Sequence, residues 1–116
     1  MKDKDFTIFS NLFSQVYSKA FCEDISSLPY GKAVSLSWMI YDATGVMLSY
    51  KSLCAYAKAV LYKKSESINP NDSTLGVLTR FVSEGGTIEK NKKELPLLWY
   101  QFRSQALKGS HFLKAG

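Results

Sequence analysis

Histidine occurs once and cysteine twice in this 116-residue chain, and the familiar catalytic signatures are missing. The lone His111 lies near the C-terminus, so Ser-His-Asp and Cys-His chemistry lack a placed base. There is no HExxH, no GxGxxG and no GxxxxGK followed by Ser or Thr. Glu84-Gly85-Gly86 holds too few glycines to cradle a phosphate, and the acids are scattered. These absences predict a protein that is not an enzyme and that uses no metal or other cofactor. Cys22 and Cys54 form no CxxC and no Cys/His spacing. A secreted scaffold held by disulfides would carry four or more cysteines, so both are expected as reduced, half-buried small apolar residues. Long apolar runs are missing too. Asp3 and Asp5 cancel Lys2 and Lys4, and Asn11, Ser14 and Gln15 interrupt the stretch behind them, so a signal peptide is not expected here. No uncharged run approaches the roughly 18 residues of a spanning helix. The expectation is a cytoplasmic chain with no membrane partner.

What is present is a core-forming composition, 46% apolar with 14% aromatic residues, at the size of one domain. Aromatic side chains fill cores and also mark contact surfaces. The net charge of +5 is unevenly placed. Residues 1–30 hold three lysines against four acids, whereas residues 31–116 hold twelve Lys/Arg against six acids. A basic body of this kind suits nucleic acid or an acidic partner.

Periodicity divides the chain. Phe6, Phe9, Leu12, Phe13, Val16, Tyr17, Ala20 and Phe21 recur at spacings of three and four, predicting a helix over 5–22 with Asp5 as its N-cap. So broad an apolar face must be covered, either by its own domain or by the same helix of a second copy. Residues 31–44 predict a second helix, apolar almost all round and therefore central, stopped by Gly45. Val46-Met47-Leu48 predicts a minimal strand, and Ser49 caps a third helix running to about Tyr62, with Lys51 and Lys58 facing out. Asn69-Pro70 opens a fourth helix through Glu84, buried along Leu75, Leu78, Phe81 and Val82 and ended by Gly85-Gly86. Thr87 to Lys90 alternates as a strand, Asn91-Lys92-Lys93 is a polar tip, and Leu97 to Phe102 is a β-prone aromatic run entered through Pro96, so the two predict a hairpin. Residues 104–116 predict a short helix or a loose tail.

In this order, residues 31–103 resemble the winged helix-turn-helix superfamily. The resemblance rests on the segment Gly45-Val46-Met47-Leu48-Ser49-Tyr50-Lys51-Ser52-Leu53. It rests also on the run from Ser73-Thr74-Leu75-Gly76 through Thr79-Arg80-Phe81 to Gly85-Gly86-Thr87-Ile88. It implies an α+β, mostly helical fold: a winged domain over 31–103, an extra N-terminal amphipathic helix and connection over 1–30, and a C-terminal piece over 104–116. It implies further a recognition helix over 69–84 in the major groove and a basic wing over 87–102 on phosphates. The connection from Lys63 to Ile68 is longer than the usual turn of 3–4 residues.

The proposed recognition helix would turn Ser73, Gly76, Thr79, Arg80 and Ser83 outward, a short polar face nearly free of acid. Gly76 costs about 1 kcal/mol against Ala in a helix, which close approach to DNA or close packing of another helix would explain. Arg80 is the long side chain on that face, suited to reading guanine, or is a solvated charge. Lys90, Lys92 and Lys93 at the wing tip, with Lys51, Lys63 and Lys64, would bind phosphates, or would only solubilise and protect an edge. The leading expectation is a sequence-specific regulator of transcription that binds double-stranded DNA, homodimeric through Phe6, Phe9, Leu12, Phe13 and Val16. The alternatives are a protein-interaction or adaptor module using exposed aromatics such as Phe6, Phe9, Trp99 and Tyr100, and a replication or mobile-element accessory factor.

Overall fold

The computed structural model describes residues 1–83 and 94–115, with side chains through residue 108. Among these residues there are five α-helices and one 3-10 turn. In chain order they are α1 (Asp3–Phe21), α2 (Tyr30–Thr44), α3 (Tyr50–Tyr62), the turn Ser65–Ser67, α4 (Asp72–Val82) and α5 (Leu95–Ala115). No strand occurs among the described residues, so the expected α+β winged helix-turn-helix is corrected to an all-helical fold.

The correction has two local causes. Leu97 to Phe102, read as the second strand of a wing, belongs to α5. Leu95, Trp99, Phe102 and Ala106 follow one another by four, three and four residues. Leu95 and Trp99 are buried, and Phe102 and Ala106 pack against the core. That helical period outweighs the aromatic strand preference, which depends on a sheet being there to receive it. Pro96 falls in the first turn, where its missing N–H costs nothing. At Val46–Leu48 the backbone bonds go to side chains of α2 and not to a partner strand. Ser37 Oγ donates to the Leu48 carbonyl at 2.7 Å, and Val46 N–H donates to Thr44 Oγ1 at 3.2 Å. The first half of the expected wing, Thr87–Lys90, lies outside the described residues, as do Lys92 and Lys93 at its tip.

α4 is the central helix and packs against α1, α2 and α5. Six of its residues are buried: Leu75, Gly76, Val77, Leu78, Thr79 and Phe81. It starts at Asp72, later than expected, because Asn71 and not Asn69 is the cap; Asn71 Oδ1 accepts from Thr74 N–H at 2.8 Å. Its C-terminal end is held by α1, whose Lys19 Nζ donates to the carbonyls of Phe81 at 2.5 Å and Ser83 at 3.2 Å. A cation at the last carbonyls of a helix also complements its dipole.

α1 supplies the largest share of the aromatic core. Phe9, Leu12, Phe13, Val16 and Tyr17 are completely buried. The rings of Phe9 and Phe13 meet the edge of Tyr56 on α3 at 5.4 and 6.0 Å. Burial among these rings pushes the Tyr56 phenol above its ordinary value, so it stays neutral. The face offered for dimerisation is therefore covered by its own chain. Asp5, expected as the N-cap of α1, instead accepts from Arg103 Nε of α5 at 2.6 Å, and the cap residue is Lys2 with no side-chain bond.

α2 is less central than its composition suggests. Ala33, Leu36, Ser37, Ile40 and Thr44 are buried, while Tyr30, Trp38, Met39 and Tyr41 remain exposed. α3 is capped as expected, Ser49 Oγ accepting from Lys51 N–H at 3.2 Å; Leu53, Tyr56, Ala57 and Ala59 are buried, while Val60 and Leu61, expected on the inward face, are only half-buried.

Candidate nucleic-acid interface

The five residues expected to form a DNA-reading face on α4 do not share an exposed surface. α5 lies across that side of the helix. A Cβ on Gly76 would stand 2.0 Å from the Leu95 carbonyl oxygen, so the glycine admits a neighbouring backbone of the same chain. Thr79 is buried and donates from Oγ1 to the Leu75 carbonyl at 2.8 Å. Arg80 is half-buried, and its Nε is enclosed with no hydrogen-bond partner among the described residues. Only Ser73 and Ser83 are exposed, and Ser83 Oγ donates back to the Arg80 carbonyl at 3.0 Å. Packing explains Gly76 and Thr79 without any ligand.

The other expected contacts separate. Lys51 is exposed on α3 and Lys64 is exposed just beyond it. Lys63, in the left-handed conformation that ends α3 at φ 55°, borders a shallow groove with Asp3, Phe6 and Thr7 of α1. Lys90, Lys92 and Lys93 lie outside the described residues.

A different surface collects the chemistry. On α3, Lys51, Ala55, Lys58 and Tyr62 recur at intervals of four, three and four, which places them within about 60° of one another at about 100° per residue. All four are exposed. Beside this stripe lies a groove of about 400 Å³ between α3 and the start of α2, floored by Leu28, Cys54 and Ala57 and rimmed by Tyr30, Tyr50, Lys58 and Tyr62. That volume lies within the range of roughly 300–1,000 Å³ usual for ligand clefts. Tyr30 meets Tyr50 edge-to-face at 5.0 Å, while Tyr30 and Tyr62 remain 67% and 68% exposed. Tyrosines this open are not serving the core, and Lys58 lines the same groove. Cys54 donates its Sγ–H to the Leu28 carbonyl at 3.5 Å and closes the groove floor. Neither Cys22 nor Cys54 is in a disulfide.

The aromatic surface continues along α2. Tyr30, Val34, Trp38 and Tyr41 fall within about 80° of arc and span about 16 Å of helix. Trp38 and Tyr41 are exposed and meet edge-to-face at 6.0 Å. Asp42 stands at the far end of this stripe. From Asp42 to Glu66 the chain carries four lysines and no acid between them. That acid-free interval was legible in the sequence and is the signal that reading for a wing passes over. The remaining lysine of this end, Lys32, is turned away and paired with Glu23 and Tyr17.

Among the described residues no group of three His, Cys, Asp or Glu side chains is placed to hold a metal ion, and no helix is long and apolar enough to cross a membrane. Comparison with protein families, with curated proteins and with solved structures finds no match to this chain.

Proposed function

We propose that this protein is a non-catalytic nucleic-acid-binding module whose contact surface is the α2–α3 face and not α4. The observation that carries the reading is the coincidence of Lys51, Lys58 and Tyr62 on one exposed stripe with the tyrosine-rimmed groove beside it, in a stretch free of acid. Lysines neutralise backbone phosphates, and open aromatic rings accept bases; a solubilising charged face has need only of the first. Gene regulation and service to a replicating or mobile element would use the same surface. The compartment we assign is the cytoplasm, where two unpaired cysteines persist as thiols.

A protein partner is favoured by one specific feature, the exposed Trp38–Tyr41 pair with Met39 and Met47 nearby in sequence, since aromatics and methionine are enriched at protein interfaces. The two readings separate in one titration. Fluorescein-labelled oligonucleotides are followed by anisotropy at 50 and 200 mM salt with wild type and with Lys51→Glu/Lys58→Glu. Nucleic-acid binding predicts salt-sensitive association that the double variant abolishes with its thermal midpoint unchanged. Absence of association with any oligonucleotide at 50 mM salt removes the reading and leaves the protein-contact alternative.

A further inference from the structure

Resting on the nucleic-acid reading of the α2–α3 face, we infer that its ligand is a single strand whose bases stack on Tyr62 and Tyr30 while Lys51 and Lys58 hold its phosphates. Three observations distinguish a single strand from a duplex. The first is shape. Duplex readout inserts a protruding helix or ribbon into the major groove, whereas here Lys58 borders a recess of about 400 Å³ and Lys51 stands on the exposed α3 stripe beside it. Paired bases inside a duplex cannot enter a recess; unstacked ones can. The second is exposure. Tyr30 of α2 and Tyr62 of α3 are two-thirds exposed, and both line the groove. Ring faces in that state are platforms for any base, because every base has a π-face. The third is extent. Beyond the groove, α2 carries the exposed Trp38 and Tyr41 on the same side of the helix as Tyr30, so aromatic positions from Tyr30 to Tyr41 spread over about 16 Å, enough for successive nucleotides of an extended strand. A point-like anion site would not need such a track. Stacking on tyrosine faces and contact with phosphates read no base edge, so binding is tolerant of sequence.

The experiment uses the full chain and four labelled probes of equal length: oligothymidine, oligouridine, a self-complementary hairpin duplex and an abasic deoxyribose strand. Expected is binding of oligothymidine and oligouridine at least tenfold tighter than of the duplex or the abasic strand. Comparing the thymidine and uridine probes identifies whether DNA or RNA is preferred. Tyr62→Ala weakens the oligothymidine complex about tenfold, the size of one lost base stack, and leaves the abasic strand unaffected. Tyr62→Phe keeps the ring and stays within about twofold of wild type. With two phosphates neutralised on a single strand by Lys51 and Lys58, raising salt from 50 to 200 mM costs about sevenfold in affinity. The single-strand assignment is overturned, with nucleic-acid binding intact, if the duplex binds as tightly as oligothymidine or if Tyr62→Ala changes nothing while Lys58→Glu does. Displacement by polyglutamate of matched charge as readily as by oligothymidine also overturns it, because stacking then contributes nothing. Failure of all four probes to bind removes the parent reading as well.

Discussion

Single residues decide whether the small polar side of α4 is a surface or a packing face, and Gly76 is the most direct of them. An exposed glycine inside a helix gains about 1 kcal/mol of stability when replaced by alanine. Here the added methyl meets the Leu95 carbonyl at 2.0 Å, and backbone cannot rotate aside as a side chain would. Gly76→Ala is therefore expected to lower stability by about 1–3 kcal/mol, the usual cost of overpacking, measured by chemical denaturation. A neutral or stabilising result would mean that α5 does not lie where it is described. Asn71→Ala, removing the cap that accepts from Thr74 N–H, should cost about 1 kcal/mol. The Glu23–Lys32 pair gives a pH signature. Lys32 donates to Glu23 and adds its charge, holding that carboxyl below its ordinary 4.5, while the same bond and that to Tyr17 raise the ammonium above 10.5. The contribution is complete between these values. It is lost as pH falls through the lowered carboxylate value, and again as pH rises through the raised ammonium value. The melting gap between wild type and Glu23→Gln should be small at pH 7, since the pair is solvent-exposed, and should narrow as pH falls below 4.5 and through the lowered carboxylate value. A gap that persists in acid would contradict the pairing.

Helix by helix, what the sequence disclosed depended on whether local chemistry and burial pointed the same way. α1 and α3 were legible because apolar spacing and, in α3, a Ser49 cap agreed with the core they enter. α4 was legible as a helix but not in its role. Its four large apolar residues marked one face; Gly76 on the other was left open between approach to DNA and a packed helix, and the Leu95 backbone against it decides for the helix. α5 was misread because aromatic residues before Phe102 suggested a strand, although Leu95, Trp99, Phe102 and Ala106 already carried helical spacing. α2 was over-read as central because Trp38, Met39 and Tyr41 count as apolar yet stay in water. The α1 face was left open between two uses, and the burial of Phe9, Phe13 and Val16 assigns it to its own chain. Phe9→Ala should accordingly cost about 3–5 kcal/mol of folding stability; light scattering that instead showed a stable dimer converting to a stable monomer would contradict that assignment. Arg103→Ala, which breaks a half-exposed pair with Asp5, should cost no more than about 1 kcal/mol in the same denaturation assay.

For the molecule as a whole, the basic excess was visible from composition but its placement was not. The cations expected to converge on α4 and a wing are instead divided, with Lys51 on the α3 stripe, Lys64 beyond its end and Lys63 beside Asp3 of α1. Lys58, read only as outward-facing, becomes the lysine on the groove rim. Which lysines share a face with which tyrosines is a property of how α2 and α3 are packed, and periodicity within one segment does not contain it. The central claim is that nucleic acid meets the protein on this α2–α3 face. The measurement that tests it most directly is the map of backbone amide chemical shifts in an isotopically labelled sample titrated with oligothymidine. The account predicts perturbations concentrated at Tyr30 and from Tyr50 to Lys64, extending to Trp38 and Tyr41, with Asp72–Val82 quiet. Saturable perturbations confined to α4 and its neighbours, with the α3 stripe unchanged, would contradict it.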